Sequence, residues 1–296
     1  MLRELVELYR YHDRFVELQA RHDYENVFSK SLRDLREFGL DSIRGRAVLD
    51  LGCGQRAPFA ILAAQHGADV TALDAEYVKP GGMLKTFIAS LWHGGVKRAI
   101  KTCARRVIFD GRYYRVLREL SQYERGRINA IKFVSCDPRR GMYPLPDSSF
   151  DVVFSNAVVE HVADVDQFAS EVSRMLRCGG LFHGLIHNYY SLSGGHNMEW
   201  AYPHLAGSQK VPPWDHLRAN KFPSHVYLNK LSPQQYLESF GRVMQVLVFE
   251  PRDHKHDYGG LEGEAYLTQQ VERELRAYPR ELLLTRAWCI VCRNRK

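Results

Sequence analysis

Apolar residues fall in short unbroken runs through the middle of the chain and at helical spacing near its start. Ala47 to Leu51 is such a run, interrupted only by Asp50, and Asp69 to Asp74, Ile131 to Asp137 and Phe150 to Ser155 repeat it. Runs without polar alternation suit strands of a parallel sheet covered on both faces. Between them the period changes: a helix is predicted over roughly Ala57 to Gln65, and Glu171 to Ile186 reads as helix, Gly-Gly turn and fifth strand. Ser232 caps a helix through about Phe240, with Pro233 at its first position. Val243 to Phe249 then reads as a strand, Glu264 to Tyr278 as a helix and Leu282 to Cys292 as a last strand. Strands alternating with helices predict an α/β fold.

The N-terminal residues Leu2, Leu5, Val6 and Tyr9, then Phe15, Val16 and Leu18, stand near helical spacing. They predict a helical cap over residues 1–45, with the main domain spanning 46–296. Between the second and third strands, where one helix and short loops would suffice, the chain supplies a basic insertion at about residues 78–125. Lys79 to Arg118 holds ten Lys and Arg against Asp110 alone, a net +9, whereas the whole chain carries +7. The pI near 9.1 therefore describes this segment and not the core. Its apolar residues, among them Phe87, Ile88, Leu91 and Trp92, interleave with the cations and predict two or three amphipathic helices. Such helices either pack on the core with solvated cations, or bind an anionic acceptor or membrane surface. Nucleic acid is argued against, because no base-stacking motif accompanies the basic run.

The composition, 45% apolar and 25% charged, is that of a globular protein and carries no disorder signature. The six cysteines are scattered and read as reduced thiols, with Cys289 and Cys292 inside a predicted strand. No secretory segment or membrane span is visible, so the expected location is cytoplasmic, with peripheral contact at the inner face of the membrane as the alternative.

The candidate chemistry begins where the first strand ends. Gly52 and Gly54 flank Cys53 in a tight turn, and the following helix aims its N-terminus at whatever lies there. Asp74 ends the second strand, where a carboxylate can accept both hydroxyl hydrogens of a ribose. LDLGCG at Leu49 to Gly54, Asp74, PLPDSSFDVVFSNAVVEHV at Pro144 to Val162 and EVSRMLRCGGLFHGLI at Glu171 to Ile186 together resemble the class I S-adenosylmethionine-dependent methyltransferases. The resemblance covers Arg46 to Ile186 apart from the insertion. It implies a Rossmann-like, seven-stranded, mostly parallel sheet with an antiparallel last strand, and S-adenosylmethionine as cofactor. It also implies cofactor contacts at Asp50, Gly52, Cys53, Gly54, Asp74, Ala75, Asp137, Asn156 and Ala157, with Asp137 on the adenine. Arg56 departs from it, since many members carry a third glycine there. The sequence SNAV after the fourth strand lacks the Asn-Pro-Pro-Tyr-type motif of amino-group methylation.

Methyl transfer from a sulfonium to an alcohol is an in-line displacement that needs a proton acceptor, and neutral histidine suits it. The candidates are His161, His187 and His196. Residues 188–230 form a loop-rich segment whose aromatic faces and fixed polar groups suit a sugar. Asn197, Trp200, Trp214, Asp215, His216 and Arg218 are its candidate acceptor contacts. GGHN and PPWDHLR within it are similar to pieces of methyltransferases from bacterial polysaccharide and glycolipid assembly. That resemblance implies O-methylation of a sugar hydroxyl on a glycan or glycolipid. A methyltransferase of lipids or small secondary metabolites, or a non-catalytic cofactor-binding partner of a membrane assembly complex, are the alternatives. No residue is assigned as a metal ligand; a divalent cation stays open, with Asp164, Asp166, His187 and Glu199 as conceivable donors.

Overall fold

In the computed structural model, which describes residues 2–75, 103, 106–121, 125–252 and 263–296, the chain opens with α1 (Leu2–His22). A π-helical stretch (Asp23–Phe28) leads from it directly into α2 (Ser29–Glu37). Then come β1 (Ala47–Leu51), α3 (Pro58–Gln65), β2 (Asp69–Asp74), α4 (Gly111–Ser121), β3 (Lys132–Ser135) and β4 (Phe150–Asn156). They are followed by α5 (Val165–Met175), β5 (Leu176–His187), α6 (Met198–Ala201), α7 (Pro233–Val243) and β6 (Met244–Arg252). The chain ends with α8 (Gln269–Glu274), α9 (Arg280–Leu284) and β7 (Ala287–Asn294).

The seven strands form one sheet in the order β3-β2-β1-β4-β5-β7-β6, parallel except for β7, which runs antiparallel to both β5 and β6. The order reverses between β1 and β4, and at such a switch point the loops beyond the strand ends part and leave a crevice. One face is buried by the N-terminal helices, α3 and α4 through Phe28, Phe59 and Tyr113, and the other by α5 and α7 through Phe168 and Phe240. Residues of the long loop, α8 and α9 build a third cluster around Trp214. Among the described residues no helix is long and apolar enough to cross a membrane.

Several predicted elements shift. The Gly179-Gly180 turn is absorbed into a longer β5, where the register against β4 slips between Phe150 and Val152. The helix predicted over Glu264 to Tyr278 is a single turn (Glu264–Tyr266) followed by the short α8. The last strand starts only at Ala287, because Leu283 and Leu284 are drawn as helix α9 into the third cluster. Most of the basic insertion, residues 76–102, 104–105 and 122–124, lies outside the described residues. In the part that is described, α4 lies along α1, with Arg112 3.0 Å from Asp13 and Arg115 3.5 Å from Glu17. Those two cations are answered by acids of the cap.

A buried polar cluster ties the cap to the sheet. Asp34 on α2 lies 2.8 Å from His183 Nε2 on β5 and 2.5 Å from Arg252 on β6. Burial opposes protonation of His183, but the Cys289 sulfur and the Asp34 carboxylate outweigh it and hold the pKa up at about 9. The predicted reduced state holds for the cysteines here, all six being free thiols.

Candidate functional site

At the carboxyl end of β1 the chain turns on two glycines with φ of +85° and +65°, Gly52 and Gly54, a conformation that strains other residues. Gly52 must also be bare, since a β-carbon there would stand 2.2 Å from Val158 Cγ2. The turn is stitched to β2: Gly52 and Cys53 donate to the Leu73 carbonyl at 2.8 and 3.1 Å, and Gly54 N donates to Asp74 Oδ2 at 2.9 Å. Asp74 and Ala75 are half-buried at this edge. Gly54 faces open space, with nothing within 4 Å of a β-carbon built on it. A bare backbone bend beside an edge carboxylate fits a nucleoside cofactor.

Asp50 does not join it. Its carboxylate is buried and accepts from Ala60 N at 3.0 Å in the first turn of α3, and burial pushes its pKa up to about 7. The expected three-carboxylate grip is therefore corrected to two carboxylates at the edge and one that fixes the strand-helix turn. Asp137 also differs from expectation. It caps the turn Pro138–Arg140 and is clasped by Arg139, with 2.8 Å to Nε and 2.7 Å to a terminal nitrogen. That side-chain clasp holds its pKa below the usual carboxylate range. Its turn role is visible, and contact with an adenine amino group would have to compete with Arg139. Arg56 leaves the bend altogether: its Nε reaches Asp110 at 2.8 Å and its guanidinium lies 4.4 Å from the centre of the Tyr113 ring.

Beyond β4 and β5 a cavity of about 320 Å³ opens under the cap. Asn156, Ala157, His187, His196 and Asn197 line it, and Phe15 of α1 closes it together with Tyr202, ring centres 4.8 Å apart. Ala157 adopts φ +53° and is held by donation to the Leu185 carbonyl at 2.8 Å. Two of the three candidate histidines, His187 and His196, line it with ring centres 4.7 Å apart, and the third, His161, lies 4.9 Å from His196. Burial pushes His196 down to about 3, so its ring is neutral and weakly basic. His161 is also pushed down by burial; its Nδ1 lies 2.8 Å from the Tyr227 carbonyl, which fixes the proton on Nδ1 and leaves Nε2 as the acceptor. Between them stands Glu160, fully enclosed, its pKa raised by burial to about 8.

Five of the six predicted acceptor contacts lie elsewhere. Trp214 is completely buried and Trp200 nearly so, each donating its indole N–H to a backbone carbonyl, Tyr190 and Val211 respectively, inside the third cluster. The buried Asp215 accepts from Phe222 N at 2.8 Å and His216 bonds the Tyr189 carbonyl at 2.8 Å. Arg218, the fifth, pairs with Glu274 on α8. A loop this long needs its own core and its own backbone partners, and these residues provide them. Of that set Asn197 alone lines the cavity. The conceivable metal donors separate likewise: Asp164 caps α5, Asp166 pairs with Arg242, and Glu199 accepts from Val211 N. Sequence reasoning missed Phe15 and Arg286 on the cavity, which no motif marks. Glu160 was visible beside His161, though not as a site residue.

Residues 101–183 match the family described as methyltransferase domain. A 52-residue stretch of the chain is 48% identical to a Mycolicibacterium smegmatis protein described as a probable S-adenosylmethionine-dependent methyltransferase, covering 18% of this chain and 20% of that protein. The chain thus matches about a fifth of that relative's length. Among solved structures, an S-adenosylmethionine dependent methyltransferase from Mesorhizobium loti superposes with TM-score 0.48 at 18% identity, covering 88% of this chain and 96% of that one. YcgJ from Bacillus subtilis gives TM-score 0.44 at 16% identity, with 90% and 99% covered. The cofactor that this similarity implies is S-adenosylmethionine, and the bend at Gly52 to Gly54 with Asp74 has the open backbone and the carboxylate that would suit it.

Proposed function

We propose that the protein transfers the methyl group of S-adenosylmethionine to a hydroxyl of a sugar, carried on a glycan or glycolipid. The observation that supports this most is the cavity beyond β4 and β5. It sets His187, His196 and two asparagines against aromatic faces, with His161 packed against His196. Sugars stack their C–H faces on aromatics and direct their hydroxyls to fixed polar groups.

When bound, the cofactor supplies an electrophilic methyl on a sulfonium that leaves as a neutral thioether. Asp74 holds the ribose end, Asn156 and Ala157 separate the bend from the acceptor cavity, and the cap excludes water. The histidine cluster takes the acceptor's proton. Asn197 and Arg286 orient the acceptor, and Phe15 with Tyr202 offers it an apolar face. Peripheral membrane contact through the basic insertion would bring a lipid-linked acceptor to the cavity, and the net +9 over Lys79 to Arg118 supports that arrangement.

The test incubates purified protein and methyl-labelled cofactor with separated polysaccharide, lipid, nucleic acid and small-metabolite fractions of source cells. Label in acid-stable O-methyl sugars is expected. Label confined to the lipid or metabolite fraction would replace the sugar reading with its rival, and cofactor binding without transfer to any fraction would favour a non-catalytic role.

A further inference from the structure

The backbone of the turn after β4 is tied down from outside. The turn Val159–His161 is held by Asn229, whose backbone N–H donates to the Glu160 carbonyl at 2.9 Å and whose side chain donates to Val159 and Val162 carbonyls at 2.8 and 3.0 Å. Tyr236 in turn donates to Asn229 Oδ1 at 2.7 Å. Yet neither side-chain oxygen of Glu160, a residue 2% exposed, receives a well-formed hydrogen bond, and the backbone N–H groups of Glu160 and His187 nearby do not offset the cost of its burial. Leaving a buried carboxyl unsatisfied costs on the order of several kcal/mol. A carboxyl so poorly satisfied inside a fixed frame is suited to ligate a cation.

The neighbours supply the rest of a coordination sphere. Glu160, His187 and His196 each offer one ligand atom, and all three lie within 4.8 Å of one another. Ligands at about 2.1 Å from one ion stand at most about 4.2 Å apart, so small side-chain rotations close the set. They come from three separate places, the turn after β4, the end of β5 and the Gly194-Gly195 loop. That last loop is forced. A β-carbon on Gly194 would meet the Tyr189 carbonyl oxygen at 2.0 Å and one on Gly195 would meet His216 Nδ1 at 2.8 Å, and His196 itself sits at φ +56°. Backbone strain maintained by such packing is characteristic of functional positions.

We propose that Glu160, His187 and His196 form a binding site for one divalent first-row transition ion, such as Mn²⁺, Fe²⁺ or Zn²⁺, at the wall of the acceptor chamber. Two imidazoles and a carboxylate favour these ions over Mg²⁺ and Ca²⁺, which take oxygen ligands. Three protein ligands leave coordination positions open, and His187 and His196 both face the cavity. The ion's role toward the acceptor rests on the sugar reading above; the site itself does not. Adjacent hydroxyls of a sugar would occupy the open positions. A hydroxyl held there would release its proton, directly or through water, to His161 Nε2, its oxygen would form the new O–C bond to the methyl group, and the C–S electron pair would stay on sulfur. His161 stays outside the ligand set, with Nε2 3.9 Å from Glu160 Oε1.

The test uses full-length protein purified without a polyhistidine tag, stripped with chelator and titrated separately with Mn²⁺ and Zn²⁺. Mass spectrometry of metals after gel filtration should show about one equivalent retained. Glu160→Gln and His196→Ala should each weaken binding at least tenfold, while S-adenosylmethionine affinity by calorimetry and the circular dichroism spectrum stay at wild-type values. If one variant does not fold, the other gives the same reading. Failure of the wild type to hold either ion, with or without cofactor, overturns the site, and so do variants that keep wild-type metal affinity. The two proposals separate cleanly. Sugar methylation at full rate after chelation would sink the ion's role and leave the function standing, whereas stoichiometric metal binding with no saccharide methylated would do the reverse.

Discussion

Replacing Gly52 by alanine tests the packing that shapes the cofactor bend, because the structure separates the cost into two parts. The first is conformational. At φ +85° a β-carbon meets the following backbone, at a cost of about 1–2 kcal/mol. The second is steric: the new carbon would stand 2.2 Å from Val158 Cγ2 but 3.4 Å from its Cβ. Overpacking of that kind costs about 1–3 kcal/mol. Gly52→Ala should therefore destabilise the fold by about 2–5 kcal/mol, measured as the shift in urea unfolding at constant m. Val158→Ala removes the offending methyl and leaves an ordinary contact, so its own loss of about 2 kcal/mol should not add fully. The double variant should be more stable than additivity predicts by about 1–3 kcal/mol, and it should regain part of the S-adenosylmethionine affinity that Gly52→Ala loses. Additivity within about 0.5 kcal/mol would refute the reasoning, since the clash could then not be the source of the cost.

Other expectations follow from single contacts. Asp74→Asn keeps an oxygen for Gly54 N but loses the charge that strengthens bonds to ribose hydroxyls. Cofactor affinity by calorimetry should fall about 10–100-fold, and an unchanged value would move the ribose elsewhere. Trp214→Ala should cost about 3–5 kcal/mol of stability; a variant of wild-type stability with only acceptor KM raised would restore Trp214 to the binding surface. His183 is held at about 9 in the fold, above the roughly 6.5 of an unfolded chain. Its contribution is therefore fully present below about pH 6.5 and lost as pH rises through about 9, amounting to about 3 kcal/mol at most. Urea midpoints between pH 6 and 9.5 should decline in the wild type and much less in His183→Gln, and equal slopes would reject the assignment.

The sheet was legible because its central strands β1, β2 and β4 are buried on both faces, so each appears as a compact apolar run; β2 matches its predicted bounds residue for residue. The capped helix after Ser232 was legible for a local reason too, since a capping box and a leading proline lie within four residues of each other. What failed was reading chemistry from composition in residues 188–230. Tryptophans, histidines and acids crowd there as they would at a binding surface, but the same residues also build the small core that a long excursion requires. Sequence contains no signal for which use a given indole has. Whether Trp200 faces inward depends on Leu267, Leu275 and Leu283, which arrive some seventy residues later.

Arg56 shows the same limit from the opposite side. Taken with the glycine motif alone, a bulky cation at the third position suggests a damaged bend and favours a protein that no longer performs chemistry. In three dimensions the arginine points away from the bend and anchors it. Its partners are Asp110 and the Tyr113 ring, Tyr113 donates to Asp23 at 2.5 Å, and Gln19 donates to the same carboxylate at 2.6 Å. Asp23 and Gln19 line the acceptor cavity. A continuous set of contacts therefore runs from the cofactor bend through α4 to the cap that closes over the acceptor. Residues 19, 23, 56, 110 and 113 lie too far apart in sequence for any local pattern to reveal it. The side chain that breaks the glycine motif therefore braces the bend instead of filling it, and its presence does not count against a cofactor there.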